Sequence, residues 1–279
     1  AGLVRRHREG AFAFFRLAED AAGGALAQWL AAQIDRADPM VAADLTRLAS
    51  VRAARAEAAQ AYFARIAHDW DSLRSLHASD EAVETAVLSA LGDRPLGSVL
   101  DLGTGTGRIL ALLAPRAARA VGVDASHTML QVARANLEQA GVARAELRQG
   151  DIYTLPFGRN VFDVVVVHQV LHFLDDPARA LREAAAALAP GGKLIVVDFA
   201  PHELEFLRAE HAHRRLGFSQ EQVAGWLAEA GLECDLVRAV PAESGRASGA
   251  EKLTVMIWRG CDRRIEGDMP ARNDNLEVA

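Results

Sequence analysis

The stretch Ser98-Val99-Leu100-Asp101-Leu102-Gly103-Thr104-Gly105-Thr106-Gly107 decides the fold. Its first half is a short apolar run that reads as a buried strand. The glycines that follow let the backbone turn tightly and approach a ligand closely before a helix begins. A dinucleotide fingerprint would place its third glycine one position later, where this chain has Arg108. The spacing Asp-x-Gly-x-Gly-x-Gly therefore argues against NAD or FAD. An adenosine cofactor without a pyrophosphate needs no helix N-terminus reserved for phosphate. An acidic residue at the strand end, Asp101, suits a cationic ligand such as a sulfonium amino acid.

Outward from this loop the texture alternates. Val99–Leu102, Ala120–Val123, Ala145–Gln149, Val161–Val167 and Lys193–Asp198 are strand-like runs, with helical stretches near 107–115, 127–140 and 177–189. A helix over 219–231, ended by Gly231, and two more strands, Cys234–Val240 and Leu253–Arg259, complete the pattern. Strands and helices alternating at this spacing predict an α/β fold: a doubly wound, mostly parallel, seven-stranded Rossmann-like sheet. The predicted organisation is a hairpin and helical region over 1–75, the α/β body over 76–260 and a flexible polar tail over 261–279.

The second and third strands end on further acids. Asp124 follows Ala120–Val123, about one βαβ step after the glycine loop, where a carboxylate accepts hydrogen bonds from both ribose hydroxyls. Asp151, after Gln149-Gly150, is placed for an adenine amino group, and Met129 for the adenine face, since thioethers adapt to flat apolar surfaces.

Six blocks now carry a resemblance. They are Val99–Gly107, Gly122–Ser126, Gly150-Asp151, Leu155-Pro156-Phe157, Phe162–Val165 and Leu188–Leu194. In order and spacing, residues 96–200 resemble the class I methyltransferases, near the small-molecule group that includes ubiquinone and menaquinone methyltransferases. The resemblance implies S-adenosylmethionine as cofactor, S-adenosylhomocysteine as product and a small-molecule methyl acceptor. It implies that Gly103 and Gly105 flank the methionine part, Asp124 holds the ribose and Asp151 reads the adenine. His168, after the fourth strand, falls where this family lines the floor under the sulfonium. The cofactor set expected is Asp101, Gly103, Thr104, Gly105, Gly107, Asp124, Ala125, Met129, Asp151, Ile152 and His168.

Methyl transfer is an in-line displacement, so the protein mainly positions the reactants. A base is needed only where the acceptor must lose a proton. The candidates are His168 and His172; a helical 168–172 would put both on one face beside an acceptor. The alternative is that one touches the cofactor and the other packs a loop. Residues 202–215 hold three His, three Glu and three Arg. His202, His211 and His213 lack HExxH spacing, so no metal is expected and a solvated, salt-bridged helix is the commoner reading; a substrate lid or a contact with the N-terminal helices is the other. Tyr62–Asp71 and Arg74 are candidates for a cover over the cofactor.

At the N-terminus, Leu3–Arg8, a Glu9-Gly10 turn and Ala11–Leu17 predict a hairpin. This segment resembles the wing of ArsR-type winged-helix regulators, without the recognition helix that would enter the major groove. The resemblance implies operator DNA as a partner and a methyltransferase-like domain that senses the cofactor as an alternative to catalysis. A simple capping hairpin remains the other reading. Leu26, Trp29, Leu30 and Ile34 follow helical spacing, Pro39 breaks the run, and a long helix from about Ala42 to Ala67 needs a partner for its stripe, so a homodimer is expected.

Composition bounds these readings. The chain has 279 residues, 51% hydrophobic, with a net charge of −6, so it affords a core and carries no global basic field. Two cysteines, Cys234 and Cys261, lie outside any CxxC spacing, which argues against a disulfide framework and an arsenite-binding cysteine set and suits a cytoplasmic setting. No apolar run reaches the length of a membrane span.

Overall fold

The computed structural model describes residues 3–9, 12–17, 38–66, 79–142, 145–241 and 253–264, with scattered positions between 26 and 35. The chain divides into two units, 1–55 and 56–279.

In the first, β1 (Val4–Glu9) and β2 (Phe12–Leu17) form the expected hairpin, antiparallel, with Val4 opposite Leu17 and Glu9 opposite Phe12. The long helix α1, Pro39–Ile66, begins before the predicted Ala42 and continues past residue 55, where the first unit ends. Asp38 Oδ1 accepts the N–H groups of Met40 and Val41, and Pro39 stands at the first helical position, where a missing N–H costs nothing. The proline that reads as a break is thus the helix start.

The second unit is built on seven strands in the order β5-β4-β3-β6-β7-β9-β8. They are β3 (Leu96–Leu102), β4 (Ala117–Asp124), β5 (Ala145–Gln149), β6 (Phe162–His168), β7 (Leu188–Phe199), β8 (Glu233–Val240) and β9 (Val255–Cys261). β9 alone runs opposite to the other six. Helices α2 (Asp80–Leu91), α3 (Arg108–Leu113), α4 (His127–Gln139), α5 (Pro177–Ala187), α6 (Phe206–Glu210) and α7 (Gln220–Glu229) connect or precede them.

The central strands carry apolar residues on both faces, as in Val99-Leu100 and Val164–Val167, because both faces are covered. Leu100, Leu102, Val165 and Val167 pack with Leu181 of α5 and Val223 and Leu227 of α7. Val99, Val164 and Val166 point the other way, into a cluster with Val83 and Val87 of α2 and Ile109 and Leu113 of α3. Serine, aspartate and serine caps start α4, α5 and α7: Ser126 accepts the Met129 N–H, Asp176 that of Arg179 and Ser219 that of Gln222.

The predicted tail begins too early. β9 runs to a buried Cys261, and Asp262 is buried, its N–H donating to the Gly192 carbonyl and its carboxylate paired with Arg264. The expected helix over 202–215 is also replaced: only Phe206–Glu210 is helical.

Candidate active site

The strand order reverses around β3, with β4 and β5 on one side and β6 and β7 on the other. At such a switch point the carboxyl ends of the strands diverge and leave a crevice for a ligand. A cavity lies there, lined from every one of those strand ends except that of β7, which contributes through a later loop.

The glycine loop forms its floor. Gly103 and Thr104 both donate their N–H groups to the Val123 carbonyl, at 2.8 and 3.0 Å, which carries the loop across the end of β4. Gly103 has φ +70°, and a Cβ there would lie 2.4 Å from Val170 Cγ2, so glycine is required on conformational and steric grounds. Asp101 is buried and its Oδ2 accepts the Thr104 hydroxyl at 2.7 Å, which fixes the first turn.

Asp124 ties the loop to the next helix. Its Oδ2 accepts the Gly105 N–H at 2.9 Å and its Oδ1 the Ser126 N–H at 2.8 Å. Burial pushes its carboxyl above the usual carboxylate range, and the N–H groups of Ser126 and Gly105 oppose that shift. The Ala125 N–H adds to them, and the carboxylate keeps acceptor capacity for a ligand hydroxyl. Ala125, Met129, Asp151 and Ile152 also line the cavity, with Met129 only 2% exposed. Asp151 Oδ1 accepts the Tyr153 N–H at 2.9 Å.

The structure thus brings together Asp101, Gly103, Thr104, Gly105, Asp124, Ala125, Met129, Asp151, Ile152 and His168 on one wall set. Gly107 does not belong with them. It has φ +80° before α3, and a Cβ there would sit 3.1 Å from that of Ala133. Its role is to let α3 and α4 approach.

The two histidines separate. His168 reaches the cavity, but His172 is 2% exposed and its Nδ1 lies 2.8 Å from Asp198 Oδ1. Residues 168–172 are not helical: Gln169 is left-handed (φ +54°), and a single 3₁₀ turn covers Leu171–Phe173. A left-handed non-glycine residue is strained, and strain of this kind gathers at ligand sites. His172 is therefore withdrawn as a candidate beside the acceptor.

Sequence reasoning missed the far wall: Tyr153, Val170, Phe173, Leu174, Asp175 and Arg214. The apolar run after β6 was a usable signal, since ligands sit beyond strand ends. Arg214 carried none, because its position depends on a non-local loop. His213 is buried, its ring 4.1 Å from that of His172 and stacked on Phe199, and the N–H groups of Arg214 and Arg215 donate to the His172 carbonyl. His202, nearby, is pushed down to about 4 by burial and by the His172 ring. Among the described residues no group of three or more His, Cys, Asp or Glu is placed to hold a metal. Trp70, Asp71 and Arg74 lie outside the described residues.

Comparison with known proteins decides what kind of cavity this is. Residues 100–196 match the family described as a methyltransferase domain. They form a class I methyltransferase domain, whose cofactor is S-adenosylmethionine. A 37.1 kDa protein of a Streptomyces fradiae transposon is 30% identical over 204 residues, which is 67% of this chain and 58% of that one. The demethylmenaquinone methyltransferase of Clavibacter sepedonicus is 35% identical over 127 residues, 46% of this chain and 49% of that one. The chain spans about half the length of the curated relatives it matches. The methyltransferase domain also shares its fold with solved structures. The YcgJ protein of Bacillus subtilis aligns with a TM-score of 0.54 at 20% identity, covering 65% of this chain and 98% of that one. The [4+2]-cyclase SpnF aligns with a TM-score of 0.54 at 22% identity, covering 64% and 79%. A cyclase on this architecture shows that the fold alone does not choose the reaction.

Proposed function

We propose that the chain transfers the methyl group of S-adenosylmethionine to a small molecule with an apolar or aromatic body. The observation that carries this reading is the Asp124 carboxylate, fixed between the Gly105 and Ser126 N–H groups at the end of β4 and lining the cavity where a ribose would sit. The donor set fits the cofactor: Asp124 holds the ribose, Asp151 the adenine amino group, and Met129 and Ile152 the adenine face. Gly103 and Gly105 flank the methionine part. The carboxylates of Asp101 and Asp124 give the cavity the sign a sulfonium needs. When bound, the cofactor supplies an electrophilic methyl group whose bonding electrons return to sulfur. The protein's part is to hold the acceptor in line and keep water out. A hydroxyl or amine acceptor must release a proton, and His168 on the cavity wall is the residue to take it. Calorimetry with S-adenosylhomocysteine tests the seat directly. Saturable binding is expected, and absence of binding beside normal binding of NAD overturns the reading.

We further propose an α/β body over 76–264, a homodimer formed through the N-terminal helices, and operator DNA met by the β1–β2 hairpin, whose first strand carries Arg5, Arg6 and Arg8. A cytoplasmic setting goes with the two free thiols; among the described residues no helix is long and apolar enough to cross a membrane. A single-chain mass in solution removes the dimer, and unretarded DNA from upstream of the gene removes the operator.

A further inference from the structure

The far wall of the cavity has a composition of its own. Arg214 and Asp175 form a half-buried ion pair there, and Tyr153 lines the cavity beside them. All are held from outside the cavity. The Arg214 N–H donates to the His172 carbonyl at 2.8 Å, and His172 is anchored on Asp198. Arg215 Nη2 donates to the Asp175 carbonyl at 2.9 Å. The Tyr153 ring lies under the Arg179 guanidinium at 5.1 Å, and its hydroxyl accepts the Asp176 N–H at 3.0 Å. Among the described residues nothing accepts the Tyr153 proton, so it is available to a ligand. Val170, Phe173 and Leu174 provide the apolar surface alongside.

The charges cancel where the hydrogen bonding does not. An anionic ligand group drawn to Arg214 meets Asp175, and a cationic group drawn to Asp175 meets Arg214. Either would lose its hydration without a net attraction to replace it. A neutral hydroxyl loses far less on entering, accepts from Arg214 or Tyr153 and donates to Asp175.

We propose that Tyr153, Asp175 and Arg214 are the specificity-determining residues for the methyl acceptor and select an uncharged molecule that carries a hydroxyl on an aromatic or apolar body. The inference rests on the methyltransferase reading above and adds the acceptor class and the residues that choose it. Arg214 and Asp175 act as one neutral unit, and the His172–Asp198 pair positions it.

The test is calorimetry on the full chain saturated with S-adenosylhomocysteine, using three probes of one size: 4-hydroxyacetophenone, 4-hydroxybenzoate and tyramine. The neutral phenol is expected to bind about tenfold tighter than either charged probe. Tyr153→Phe, and separately the paired change Asp175→Asn with Arg214→Gln, should each weaken the phenol about fivefold or more while S-adenosylhomocysteine affinity stays within about threefold. The paired change leaves no unmatched charge, so misfolding is not its expected effect, and retained cofactor affinity reports that the fold survives. Equal or tighter binding of a charged probe, no binding of the phenol, or unchanged phenol affinity in both variants overturns the proposal. Failure of S-adenosylhomocysteine to bind, seen before any probe is added, overturns the cofactor reading and this inference with it.

Discussion

At the scale of single residues, Asp124 and Gly103 bear the clearest consequences. Asp124→Ala leaves the Gly105 and Ser126 N–H groups and a ribose without their acceptor. A loss on the order of 1–3 kcal/mol in S-adenosylhomocysteine binding is expected, about five- to 150-fold in Kd. Unchanged affinity in calorimetry would place the ribose elsewhere. The same residue sets a pH dependence. Burial raises its pKa above the ordinary aspartate value. Its ionised form therefore opposes folding of the empty protein, and that penalty is relieved as pH falls through the raised pKa. Cofactor binding has the opposite sign, because protonation removes the charged acceptor. Affinity should decline on acidification sooner than an ordinary aspartate would dictate, and Asp124→Asn should flatten the profile. Gly103→Ala meets a different obstacle. The left-handed φ opposes any side chain, and the added carbon collides with Val170. It should cost more than about 1 kcal/mol in urea unfolding and abolish cofactor binding. Adding Val170→Ala should recover only the steric part. Full recovery would mean that φ is not a constraint at this turn.

At the scale of elements, the buried His172–Asp198 pair joins the 3₁₀ turn after β6 to the last residues of β7. The Asp198 carboxylate accepts from His172 Nδ1, the His172 N–H and the Phe199 N–H. Asp198→Ala orphans all of these in a fully buried place and should destabilise by about 3 kcal/mol or more, measured by urea denaturation. A cost below about 1 kcal/mol would show that the turn is held by packing alone. This pair also explains what sequence could and could not tell. The central strands were legible because each is apolar on both faces, and the glycine loop because its spacing is local chemistry. Asp124 and Asp151 followed from their places at strand ends. Arg214 did not, because its loop is shaped by the carbonyl of a residue more than 40 positions earlier and by the ring of Phe199. Periodicity sees only neighbours, so a charged stretch reads as a solvated helix although His213 is buried and Arg214 is turned toward the cavity. Gly107 failed for the opposite reason: a glycine beside a ligand loop was read as part of it, while its contact is with Ala133 on the next helix.

At the scale of the whole molecule, the α/β body owes its integrity to pieces at its two ends. α2 precedes the first strand of the sheet, yet Val83, Val87 and Leu91 are buried against the sheet and α3. Arg108, at the start of α3, pairs with Asp80 and Glu84 and so fastens α2 to the end of the glycine loop. At the other end, the Gly192 carbonyl accepts the Asp262 N–H, and Arg264 Nη2 donates to the Leu188 carbonyl, so both residues anchor to β7. The body should therefore extend to Arg264 and begin before Ser79, whose hydroxyl caps α2. A chain of residues 76–264 is expected to unfold cooperatively and to bind S-adenosylhomocysteine as the full chain does. A chain beginning at residue 92 loses the burial of Val83, Val87 and Leu91, about 1.5–3 kcal/mol each. Stability margins of about 5–15 kcal/mol cannot absorb that loss intact. It should melt far lower or fail to fold, with cofactor binding lost through the freed Arg108. Calorimetric melting of the two chains side by side separates the cases. If both melt alike, α2 is an ornament on the sheet and the proposed boundary near residue 76 is wrong. If the longer chain binds the cofactor as the full protein does, the N-terminal hairpin and α1 are dispensable for the seat.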